Sequence, residues 1–130
     1  VTGEPAHARH FSREEANAAL ASLRPLLQRL RDAKDLLTDA EAHEALSEAA
    51  PANGGGEAGV QVGESFLEVQ RLLAALQEAG IVIRDIDRGL VDFPAIREGR
   101  EVYLCWELGE DGVDHWHDLE SGFGGREPLD

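Results

Sequence analysis

The sequence predicts an α+β domain, a long antiparallel helical hairpin followed by a small antiparallel β-meander. Three observations carry this. Leucines recur at heptad-like spacing through the first half of the chain. A glycine at Gly80 interrupts the pattern. Beyond it, apolar residues alternate with a period of two. The chain has 130 residues, 42% of them apolar, enough for one domain with its own core. We divide that single domain, 1–130, into a helical hairpin over about 12–80 and a meander with a C-terminal strap over about 81–130.

The first helix is expected over about 13–48. Ser12 and Glu15 have the Ser-x-x-Glu spacing of a capping box, and Phe11 sits where an apolar residue packs onto the first turn. Leu20, Leu23, Leu27, Leu30 and Leu37 then line one face, widened by Leu26 and Leu36. Pro25 removes one backbone donor inside this run and is expected to kink it. PANGGGEAG, residues 51–59, reads as a flexible loop. A second helix follows, with a stripe of Val62, Phe66, Val69, Leu73 and Leu76 flanked by Leu72 and Ala79. Gly80 supplies a left-handed cap and Ile81 the apolar residue after it. The matching seams let the two helices pack antiparallel.

From Ile81 the strands begin. IVIRDI is the first, DRG at 87–89 a turn, and LVDF the second, stopped by Pro94. REG at 97–99 turns into REVYLCWEL, rich in branched and aromatic residues. GEDG at 109–112 reads as a hairpin turn and VDHWH as its return strand.

Composition narrows the function classes. Twelve basic and 26 acidic residues give a net charge of -14, which repels phosphate backbones and argues against nucleic acid and anionic membranes as partners. No apolar run approaches the ~18 residues of a membrane span. VTGEPAHARH has neither the basic nor the apolar region of a secretory signal. One cysteine, Cys105, excludes a disulfide framework, so the cytoplasm is the expected compartment.

The chemistry concentrates in HWHD, residues 115–118. His115 and His117 are two apart on a strand, so their rings share a face and can chelate one divalent metal of the zinc or iron class. If GEDG closes a two-residue turn, Trp106 faces His115 and Leu104 faces His117. An odd loop or a bulge flips the alignment and offers Cys105 and Glu107 instead. A metal site wants a third protein ligand. Asp118, Glu107, Asp92, His10, Glu14 and Glu15 are the candidates, of which Asp118 and Glu15 are retained beside His115 and His117.

Trp106, Trp116 and Arg126 are expected to wall a small-molecule pocket. Cys105 reads as a small buried apolar residue, since a nucleophile would need a lowered pKa. Asp85, Asp87 and Asp92 read as turn chemistry and a solvated edge. SGFGGREPL lacks the Lys-Ser/Thr and the following helix of a phosphate loop. It reads as a closing strap, with Arg126 clamping a carboxylate of Asp118 or of a ligand.

HFSREEANAAL at 10–20, GLVDFPAIREGREVYLCWELGE at 89–110 and HWHDLESGFGGREPL at 115–129 together resemble a bacterial family catalogued as domain of unknown function 2203. The resemblance covers residues from about 9 to the end. It implies that the helix start, the DFP run, the Cys-Trp strand and the HWHD tail recur together, and it brings no activity with it. Two readings from different classes follow. One is a metal or small-ligand site at HWHD, with hydrolysis as the generic use of such a metal. The other is a non-enzymatic interaction protein, forming a homodimer through the leucine seams of its helices.

Overall fold

The computed structural model describes residues 5–47 and 56–130. Two helices, α1 (Arg13–Ser47) and α2 (Gly56–Ala79), precede five strands. These are β1 (Val82–Asp85), β2 (Leu90–Arg97), β3 (Arg100–Glu107), β4 (His115–Asp118) and β5 (Glu127–Pro128). They form one antiparallel sheet in the order β1-β2-β3-β4-β5, a meander on the α+β plan.

The start of α1 is a closed capping box. Glu15 Oε1 accepts from Ser12 N at 2.9 Å, and Ser12 Oγ accepts from Glu15 N at 3.0 Å. Just before it, Phe11 N donates to Pro94 O and the Phe11 ring meets Phe93 edge-on, which fixes the helix on the sheet. Pro25 lies inside α1 on an exposed face, where solvent can satisfy the carbonyl it leaves free. Residues 48–55, which hold the expected end of the first helix and most of the expected Gly-rich loop, fall outside the described residues. From Gly56 the expected loop is already α2. That helix closes as anticipated. Gly80 takes φ 79°, Gly80 N donates to Gln77 O and Ile81 N to Leu76 O.

The buried stripe of α2 is rotated from the expected one. Ser65, Leu72 and Leu76 are buried with Val69, Leu73 and Ala79 beside them, whereas Phe66 is 51% exposed. The reason is geometric. Positions 65, 69, 72, 76 and 79 keep the 4-3-4-3 spacing, and Phe66 falls one position off that line.

Leu20, Leu23, Leu27 and Leu30 of α1 join Leu72 and Leu76 of α2 in one core with Val91, Phe93, Ala95, Val102, Leu104 and Trp106. These sheet residues alternate along β2 and β3, so one sheet face looks into the core. The α1 seam from Leu20 to Leu30 is therefore occupied within the chain, whereas Leu36 beyond it is exposed.

Two strand expectations change. β2 runs through Pro94 to Arg97 rather than stopping at Phe93. Pro94 pairs with Tyr103, and its carbonyl accepts from Phe11 N. Backbone N and O of one strand residue point the same way, so the missing donor of Pro94 faces the N-terminal segment and costs β3 no hydrogen bond. The β3–β4 connection is not a two-residue turn. It spans residues 108–114, with Leu108 bridged to Glu110 and Gly109 at φ 110°. Register follows from this loop. Cys105 pairs with His115, Leu104 with Trp116 and Tyr103 with His117, one position off the two-residue-turn alignment.

Candidate metal centre

The one-residue change in register decides which side chains meet. Asp92 of β2 pairs with Cys105 of β3, and Cys105 with His115 of β4. These side chains, with Tyr103 and His117, stand on the sheet face opposite the core. Asp92, Cys105 and His117 are 1%, 1% and 3% exposed, although they lie on the outer face. Cover comes from the C-terminal segment. Leu119, Glu120, Ser121, Gly122 and Phe123 wall a cavity of about 260 Å³ whose floor is Arg84, Leu90, Asp92, Cys105 and His117.

One ligand-type atom from each of Asp92, Cys105 and His117 lies within 4.8 Å of the other two. His117 carries the decisive geometry. Its Nδ1 lies 2.8 Å from Asp118 O, a carbonyl that can only accept, so Nδ1 bears the proton and donates. The other nitrogen, Nε2, then points its lone pair at Asp92 Oδ1, 2.9 Å away. Two acceptors facing each other need a cation between them. That is a proton in the metal-free molecule, or a metal. Asp92 Oδ2 is held in turn by Arg84 Nε at 2.8 Å. The backbone carbonyl on Nδ1 and the guanidinium on the far carboxylate oxygen are the supports that orient imidazole and carboxylate ligands in metal sites.

A Cys-His-Asp nucleophilic triad does not match this arrangement. Both ring nitrogens of His117 are engaged, by Asp118 O and Asp92, and neither is left to take a proton from Cys105. Burial, reinforced by the Asp92 carboxylate, pushes the Cys105 thiol up to about 12. A nucleophile needs the opposite shift.

The residues singled out from sequence are distributed as follows. His117 is in the cluster. His115 shares its face, but Nδ1 of His115 accepts from Arg126 Nη2, so that lone pair is taken. Asp118 turns the segment after β4. Its Oδ1 accepts from Ser121 N at 2.8 Å and, with less effect, from Glu120 N at 3.1 Å, which holds its carboxyl below the usual carboxylate range. Glu15 caps α1, and Ser12 holds its carboxyl low as well. Trp106 is fully buried on the core face and Trp116 half-buried on the same face, so neither lines the cavity. Arg126 clamps Glu110, through Nη2 at 2.5 Å, rather than Asp118. It also stacks on Phe123, supporting the cavity wall from behind. His10 pairs with Glu101 at 2.8 Å and Glu107 with Arg88 at 2.8 Å.

Two cluster members were only partly visible in sequence. Asp92 reads as a solvated turn residue beside Asp85 and Asp87, yet it sits inside the apolar run LVDFPA, where an acid must be buried and partnered. Cys105 enters with the flipped register. Arg84 gives no local signal. It occupies the extra position of a bulge between Ile83 and Asp85, and a bulge re-aims side chains.

No curated protein and no solved structure matches the chain. A family model described as an uncharacterized conserved protein, DUF2203, matches residues 9–129, and the chain belongs to that family.

Proposed function

We propose that this protein binds a single divalent metal of the zinc class through Asp92 Oδ1, Cys105 Sγ and His117 Nε2, and uses it to bind or activate a small molecule. The observation that carries the reading is the His117 ring. With Nδ1–H donated to a backbone carbonyl, its Nε2 lone pair faces a buried carboxylate oxygen, and the buried Cys105 thiol completes a group whose ligand-type atoms lie within 4.8 Å of one another. Metal–ligand bonds of tetrahedral zinc set ligand atoms about 3.4 Å apart, so the three groups need only small side-chain adjustments. A mixed S, N and O donor set suits zinc first and iron(II) second. Three protein ligands leave a fourth position, and the cavity adjoins the cluster, as in zinc sites that act on substrates. Water activation is the chemistry that such a position supplies.

Cobalt(II) tests the reading through its spectrum. Added to chelator-treated protein, it should give the visible bands of a four-coordinate ion together with a near-ultraviolet thiolate-to-cobalt charge-transfer band. Cys105→Ser should lose the charge-transfer band. A wild-type spectrum without that band would overturn the proposed ligand set.

A further inference from the structure

The cavity beside the cluster has chemistry of its own, and its most informative member is Arg84. Three arginines lie around this end of the sheet. Arg88 grips Glu107 bidentately, with Nε at 2.8 Å and Nη2 at 3.0 Å from the two carboxylate oxygens. Arg126 holds Glu110 through both terminal nitrogens. Arg84 differs. Among the described residues its one carboxylate partner is Asp92, reached through Nε, and no carboxylate lies on its Nη edge. The bulge in β1 turns this side chain over the outer face, and stacking above the Tyr103 ring at 4.9 Å holds its plane. A fixed, part-exposed guanidinium edge at the wall of a cavity is a recognition element for a planar carboxylate. The remaining walls set the rest of the ligand. Leu90, Leu119 and Phe123 are apolar, Ser121 brings a hydroxyl, and Glu120 adds an exposed carboxylate whose charge Arg84 and the metal offset for an anionic ligand.

We propose that the cavity takes a short-chain carboxylate, its carboxyl group shared between the Nη edge of Arg84 and the open metal position, its aliphatic body against Leu90, Leu119 and Phe123. This rests on the metal reading above and names the ligand class for that site. Water activation and carboxylate binding then compete for one coordination position.

The test is a titration of the cobalt-loaded protein with butyrate and with butyramide, which is of similar shape but uncharged. Visible bands of bound cobalt report the exchange at the open position, and affinities refer to the cobalt-loaded fraction of each variant. Butyrate is expected to shift the bands saturably, with butyramide at least tenfold weaker. Arg84→Gln should weaken butyrate at least tenfold, and Arg84→Lys should recover part of the loss through the retained charge. Cobalt bands that butyrate leaves unmoved, or that it moves with equal affinity in Arg84→Gln, would overturn the ligand class while the metal site stands. A wild-type protein that binds no cobalt would overturn both.

Discussion

At the scale of single residues, the surroundings of Cys105 determine its chemistry. The thiol is 1% exposed and sits beside Asp92, and these two facts together, burial first, raise its pKa from an ordinary 9.0 to about 12. The folded-state value lies above the unfolded one. The neutral thiol of the metal-free protein therefore contributes its full stabilisation below pH 9 and loses it as pH rises from 9 toward about 12. Urea unfolding of metal-free wild type and of Cys105→Ala checks this. The stability difference between them should be level at neutral pH and shrink across that alkaline window. A difference that stays constant through it would contradict the assignment. Buried Asp92 shows how far residue identity alone reaches. An aspartate flanked by Val91 and Phe93 cannot be solvated if the strand is central, but its position three residues after a turn supports the opposite reading equally well. Only the cross-strand partners, Cys105 on one side and Arg84 above, decide between the two.

At the scale of elements, local signals were legible wherever the physics is local. The capping box at Ser12 and Glu15 and the Gly80 terminator stand where sequence placed them, and the first four strands overlap the expected runs, with β2 extended past Pro94 and β5 an addition. What failed was long-range. The register of β4 on β3 depends on the path of residues 108–114, which is fixed by remote contacts. Trp106 Nε1 donates to Glu110 O, Asn17 Oδ1 accepts from Val113 N, and Arg24 Nη2 donates to Asp111 O. None of these is visible in a turn motif, and a one-residue slip carries every side chain of β4 to the other face. The seam of α1 is likewise settled by what covers it. Leu27 is 1% exposed within the chain's own core, whereas Leu36 is 56% exposed. Leu27→Ala should cost about 2–5 kcal/mol of unfolding free energy, from lost burial plus the cavity left behind. Leu36→Ala should stay within about 0.5 kcal/mol. Thermal and urea melts of the two variants check this. Similar losses in both would mean that the exposed position is covered by something else.

At the scale of the whole molecule, the fold separates its two sheet faces by task. The inner face closes the core with the helices, and among the described residues no helix is long and apolar enough to cross a membrane. Polar groups gather on the outer face under a short C-terminal cover, and a chain with a net charge of -14 favours the approach of cations to it. Strand β5 pairs with β4, and Leu129 N donates to Asp114 O, which pins the far end of that cover to the sheet. The proposed site needs Asp92, Cys105 and His117 acting together, while His115, the cross-strand partner of Cys105, is held by Arg126. Zinc content of chelator-treated, zinc-reconstituted and desalted protein tests this most directly. A single zinc per chain is predicted for wild type and for His115→Ala, and its loss for Asp92→Ala, Cys105→Ala and His117→Ala in their folded fractions. No zinc in the wild type, undiminished zinc in those three variants, or a loss in His115→Ala equal to that in His117→Ala would contradict it.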